Sequence, residues 1–169
     1  MPSFKETYEK IKAEWAAGEK NFNIECEMLP DGMQTMCTMG NPAGDDFKLL
    51  IDAPGGLSGT NKGPSPLLVI LASIGACIIA VTKFWALIMD IKITELKVFS
   101  RGHINLGAIF GIDDSKLPGY DKLEPVIRIK ADAPEEKINE LMDKVLTHCP
   151  VITNFGGASK ITPKVQIRK

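Results

Sequence analysis

Arginine is scarce in this chain of 169 residues, and histidine is scarcer. The basic side is almost entirely lysine, with arginine only at Arg101, Arg128 and Arg168 and histidine only at His103 and His148. Scattered lysines and a formal net charge of -1 provide no basic face for nucleic acid. Cysteine is limited to Cys26, Cys37, Cys77 and Cys149, with no C-x-x-C and no Cys/His pair at metal-ligand spacing, so neither a zinc site nor another metal or cofactor site is expected. The glycine-rich stretch over residues 54–63 lacks the G-K-[ST] ending of a phosphate-binding loop. The opening MPSFKETYEKIKAEW has neither an apolar run nor a small-residue cleavage site, so no signal peptide is expected. The four thiols are then expected to be reduced and the protein cytoplasmic. There is no internal repeat and no domain linker, which predicts one domain over residues 1–169.

With 24 % charged and 44 % hydrophobic residues, the mixture is globular rather than disordered. An N-terminal helix is predicted over residues 1–18. Ser3 and Glu6 have capping-box spacing, Phe4, Tyr8, Ile11 and Trp15 share one face, and Gly18 can close the helix. Over residues 21–52 the period changes to two, and Phe22, Ile24, Cys26 and Met28 alternate with polar residues as a half-buried strand. Turns at Pro30-Asp31-Gly32 and at residues 41–46 separate it from strands at 33–39 and 47–52, an antiparallel meander. A two-residue turn at Asp31-Gly32 would set Pro30 against Met33 and Cys26 against Cys37, either a redox pair or two core neighbours.

The C-terminal α/β part, residues 93–169, begins with a strand at 93–99, a turn at Arg101-Gly102-His103 and a polar loop at 113–121. A strand at 126–131 follows. Ile138, Leu141, Met142, Val145 and Leu146 then make an amphipathic helix with Pro134 at its first position. His148-Cys149-Pro150 ends that helix, with His148 suited to its C-terminal carbonyls, and residues 161–168 read as a last strand.

Residues 65–90 form the most apolar segment. Leu67 to Thr82 carries no charge, and Lys83 alone interrupts the run before Met89. Length and hydropathy permit a membrane span, which needs ~20 residues. Lys83 would then lie inside the bilayer at a cost of about 3 kcal/mol, and the flanking strands could not share one domain. A buried helix is the better reading, begun by Ser65 as N-cap and Pro66 at the first position. A helix apolar on every side must be covered on every side. Small residues at Ala72, Ser73, Gly75, Ala76 and Ala80 suit close helix contact, and a second copy of the same helix is the economical cover, so a homodimer is expected.

Cys77 lies near the middle of this helix. Ile70, Ser73, Ile74, Val81 and Phe84 share its face and would wall a pocket for a small apolar molecule. The same wall desolvates a thiolate and raises its pKa unless a cation is supplied. Cys149 is either a space-filling residue or, if a short helix starts at Pro150, an N-cap whose neighbouring amides favour its thiolate.

Gly63-Pro64-Ser65-Pro66-Leu67-Leu68 leading to Ala76-Cys77, together with Cys149-Pro150-Val151, resembles the two cysteine motifs of the OsmC/Ohr family of osmotically induced and organic-hydroperoxide-resistance proteins. The likeness extends over about residues 53–153. It implies an α+β fold in which two copies intertwine, with antiparallel sheets packed around long central helices. It further implies that Cys77 attacks an organic hydroperoxide and that Cys149 resolves the product as a disulfide. A dithiol reductant, of lipoyl type in one branch, would then restore the pair. Active relatives carry an arginine in the N-terminal sheet and a glutamate directly after the second proline of the first motif. Here no arginine precedes Arg101, and Leu67 stands at the glutamate position. Lys48, Lys62 and Lys83 are the cations left to substitute, without arginine's bidentate fork. A non-catalytic redox sensor or a binder of small apolar ligands is the alternative that this departure raises.

Overall fold

A computed structural model describes residues 3–41 and 44–158. The strand expected at 161–168, with Arg168, lies outside the described residues. The chain forms two compact units, Met1–Ile70 and Leu71–Lys169.

In the N-terminal unit, helix α1 (Phe4–Ala13) starts with the expected capping box. The Ser3 side chain accepts from the Glu6 amide, and the Glu6 carboxylate accepts from the Ser3 amide. The helix stops short of Gly18 because Trp15–Gly18 tightens into a 3-10 turn, which places Trp15 beyond the helical face of Phe4, Tyr8 and Ile11. Strands β1 (Ile24–Met28), β2 (Thr35–Met39) and β3 (Phe47–Ile51) form an antiparallel sheet in that order. The expected register is observed, with Cys26 opposite Cys37. Strand β1 is exposed along its whole length rather than half-buried. It is an edge strand of the sheet, and among the described residues Ile24, Cys26 and Met28 stay exposed.

The glycine-rich loop after β3 is organised by Asp52, a buried carboxylate. Asp52 accepts from the Ala53 amide at 2.7 Å, the Thr60 amide at 3.0 Å, the Thr60 hydroxyl at 2.6 Å and the Lys62 amide at 3.1 Å. Gln34 donates to the same Thr60 hydroxyl at 2.7 Å. These bonds hold the carboxyl below its ordinary pKa, the Thr60 hydroxyl contributing most. The loop therefore serves an internal anion rather than an external phosphate.

Helix α2 (Pro66–Ile88) begins as expected, with the Leu68 amide donating to the Ser65 hydroxyl at 3.4 Å. Two long strands, β4 (Lys92–His103) and β5 (Lys122–Asp132), pair antiparallel in the C-terminal unit. Arg101-Gly102-His103 belongs to β4 rather than to a turn, because the ladder continues to His103 opposite Lys122. Gly102 is what admits the Tyr120 ring there, since a Cβ at this position would overlap its edge. Alternation along β5 turns Leu123, Pro125, Ile127, Ile129 and Ala131 inward, with Val126 and five charged residues opposite. Pro125 is tolerated because, among the described residues, β5 pairs only with β4. Gly75 of α2 packs on β4, where its missing side chain leaves room for Ser100 and Val98. Between the strands lies a short helix, α3 (Leu106–Ile109), followed by the polar loop. Helix α4 (Glu135–His148) is amphipathic as expected, but Pro134 is its N-cap in an extended conformation rather than its first helical residue. It hands over at Cys149 to a single turn, α5 (Pro150–Thr153).

Candidate active site

The core of the C-terminal unit is where the two motif cysteines meet. On α4, Leu141 and Val145 fall at four-residue spacing with Cys149, and all three are fully buried. On α2, Ile78 and Thr82 are fully buried as well. The Thr82 hydroxyl donates to the Ile78 carbonyl at 2.7 Å, which satisfies it inside the core. The Cys149 thiol donates toward Cys77 Sγ across 3.4 Å, and both residues are free thiols. A disulfide needs ~2.05 Å, so the sulfurs are in contact and unbonded.

Pro150 explains how Cys149 reaches this position. A residue before proline is pushed to extended backbone, and Cys149 has φ -80° and ψ 113°. The chain leaves α4 there and restarts as α5, turning the Cys149 side chain inward. The first amides of the new turn have no helical partners. The Val151 amide acts on the sulfur opposite, lowering the pKa of Cys77. Of the two alternatives for Cys149, the structure makes it the N-cap of α5, fully buried and without a side-chain hydrogen bond to the turn's amides. Thr153 caps the Cys149 carbonyl instead, through its amide at 3.0 Å and its hydroxyl at 3.1 Å.

Electrostatically, Cys77 is a reluctant thiolate. Burial is the leading cause that pushes its pKa above the ordinary thiol range, the Val151 amide opposes this, and the adjoining Cys149 adds to the rise. Among the described residues of the C-terminal unit, no cationic side chain lowers it. Arg101 lies exposed on β4 opposite Glu124, and Arg128 on β5 lies 4.9 Å over the Phe99 ring. Lys83 is exposed on α2. His148 is engaged at the end of α4, where Nδ1 lies 2.8 Å from the Lys144 carbonyl and the ring packs 5.1 Å from Trp85. His103 pairs with the Asp121 carboxylate at 2.8 Å on the surface.

The expected pocket wall has mixed surroundings. Ile74 and Val81 are buried and Ile70 is half-buried, whereas Ser73 and Phe84 are exposed. The residue that sequence reasoning missed is Val151, because its contribution is a backbone N–H. Its one signal was the proline before it.

The sequence profile of the OsmC-like protein family matches residues 59–164. The chain belongs to that family. No curated protein matches it. Among solved structures, the fold is similar to an OsmC-like protein from Mycoplasma pneumoniae, with a TM-score of 0.68, 21 % identity, and coverage of 82 % of this chain and 89 % of the other. An organic hydroperoxide resistance protein from Elizabethkingia anophelis, with thiocyanate bound, gives 0.58 and 18 % identity over 82 % and 90 % of the two chains. An organic hydroperoxide resistance protein from Legionella pneumophila gives 0.52 and 14 % identity over 82 % and 90 %. The chain thus has the OsmC-type α+β fold. Helix α2 is long and apolar enough to cross a membrane by length and composition, but in this family it is a core helix, as its packing on β4 through Gly75 agrees.

Proposed function

We propose that this protein reduces organic hydroperoxides through Cys77 and Cys149, in the cytoplasm and without a bound cofactor. The observation that carries this reading is the 3.4 Å contact between the two sulfurs. The Cys77 thiolate attacks the terminal oxygen of ROOH. The O–O bond breaks, the alkoxide takes a proton and leaves as ROH, and Cys77 becomes a sulfenic acid. The Cys149 sulfur then attacks Cys77 Sγ, the S–O bond breaks, and its proton leaves with the hydroxide as water. The resulting disulfide is returned to two thiols by exchange with an external dithiol, of which a lipoyl protein is one candidate.

The substrate is taken to be apolar because the Cys77 face of α2 is, with Ile70, Ser73, Ile74, Val81 and Phe84 as the proposed wall. A second copy completes the molecule in this reading. Ala72, Ala76, Lys83 and Leu87 lie exposed along the side of α2 away from its buried residues, and the small residues among them permit close approach of another helix. The absence of the family's arginine and glutamate agrees with the raised Cys77 pKa, and implies a slower first step rather than a different reaction.

The test is one turnover of the reduced protein with cumene hydroperoxide. One alcohol should form per Cys77–Cys149 disulfide, and Cys77→Ser should abolish it. Peroxide consumption that survives Cys77→Ser would remove Cys77 from the mechanism.

A further inference from the structure

A second pair of thiols lies in the N-terminal sheet, outside the site described above. Cys26 on β1 and Cys37 on β2 are directly opposed, with their sulfurs 3.2 Å apart and both free. The Leu29 amide donates to the Gln34 carbonyl at 3.0 Å. Alternation along an antiparallel ladder then makes Cys26 and Cys37 a non-hydrogen-bonded pair, the kind with Cα atoms ~4.5 Å apart. That spacing falls within the ~4.4–6.8 Å range a disulfide accepts. A bond here would close without moving either strand.

The two thiols differ in what can reach them. Cys26 is exposed on the edge strand, so a small reagent can approach from the open side of the sheet. Cys37 is only 7 % exposed. Its pKa is pushed up, first by Cys26 and then by burial. An accessible thiol backed by a shielded partner is the arrangement that thiol–disulfide exchange requires.

We propose that Cys26 and Cys37 form a second dithiol, separate from Cys77 and Cys149, that exchanges with low-molecular-weight disulfides, Cys26 attacking and Cys37 resolving. The Cys26 thiolate attacks one sulfur of RSSR, the reagent S–S bond breaks, and RS⁻ leaves. Cys37 then gives its proton to water and attacks Cys26 Sγ, expelling the second RS⁻. The protein loses two electrons and two protons, which convert RSSR to two RSH.

The experiment uses the full chain carrying Cys77→Ser and Cys149→Ser, reduced and then treated with bis(2-hydroxyethyl) disulfide. Both remaining thiols should disappear together, the mass should fall by two hydrogens, and peptide mapping should join Cys26 to Cys37 within one chain. Adding Cys37→Ser should instead leave a stable mixed disulfide on Cys26. The same mapping on the wild-type chain covers the case in which the double variant fails to fold. A lasting adduct on Cys26 with Cys37 present and free would overturn the proposal, as would two thiols that stay reduced. Because Cys77 is absent from the first variant, neither result bears on hydroperoxide reduction.

Discussion

The Val151 backbone amide favours the Cys77 thiolate and works against the burial that raises its pKa. It comes from the turn that follows the very thiol Cys77 contacts at 3.4 Å. One short stretch, Cys149-Pro150-Val151, therefore supplies both the second sulfur and the polar group that partly offsets the burial of the first. Among the described residues of this unit no cation lowers the Cys77 pKa, and that amide is what opposes its desolvation.

The pH dependence of the first step follows from this balance. Cys77 has a raised pKa, so its reactive form is a minority at neutral pH. Its reaction with iodoacetamide or an alkyl hydroperoxide should accelerate about tenfold per pH unit and keep rising beyond about pH 8.5, the ordinary thiol value. Stopped-flow rates from pH 6 to 10 check this. A plateau reached below pH 7 would mean that a cation not seen in this unit activates the thiol.

Cys149 should govern the fate of the oxidised sulfur rather than the attack. Cys149→Ser leaves the sulfenic acid on Cys77 with no thiol beside it. The variant should still complete one turnover, then accumulate sulfinic acid at Cys77 as peroxide is raised, while the wild-type chain accumulates disulfide. Intact-mass analysis distinguishes gain of two oxygens from loss of two hydrogens. Serine is nearly isosteric, so the surrounding Leu141–Val145 packing should persist.

Much of this was legible in the sequence where local patterns carried it. Period-two alternation and the Asp31-Gly32 turn set Cys26 opposite Cys37, and Ser65-Pro66 marked the start of α2. The limits of β4 were not legible. Arg101 and Gly102 read as a turn, yet the partner strand extends the ladder and Tyr120 covers the glycine, a tertiary effect that local propensity does not contain. The short α3 left no periodic signal. The contact between Cys77 and Cys149 spans α2 and the end of α4, so sequence supplied it only through family resemblance. The Val151 amide was hidden because every residue but proline has one.

Asp52 should make the N-terminal unit sensitive to acid. Its carboxyl is held low by Thr60, Lys62 and Ala53. Its contribution is therefore present above the unfolded value of about pH 3.9 and is lost as pH falls through the lower folded value. Asp52→Asn would present an amide N–H₂ to donors that already need an acceptor. Its Tm at pH 7 should drop by several degrees, and its further loss between pH 5 and 2 should be smaller than that of the wild-type chain. Thermal unfolding across that range is the measurement. Equal acid sensitivity in both chains would show that Asp52 is not the group being titrated.

The seat of α2 on β4 should tolerate one carbon at Gly75 and no more. A Cβ there would lie 3.3 Å from Ser100 Oγ and 3.8 Å from Val98 Cγ1. Gly75→Ala gains about 1 kcal/mol of helix propensity against a contact that a rotating hydroxyl can relieve, so its stability should stay near that of the wild-type chain. Ser100→Ala should improve it further. Gly75→Leu has no such relief: its branched end must displace Val98 or lift the helix, at a cost of about 1–3 kcal/mol. Because Cys77 is two residues along the same helix, that variant should also form the Cys77–Cys149 disulfide more slowly under a mild oxidant. Denaturant unfolding and timed thiol trapping read the two effects separately. Slow disulfide formation without lost stability would place the disturbance in the α5 turn rather than in the helix seat.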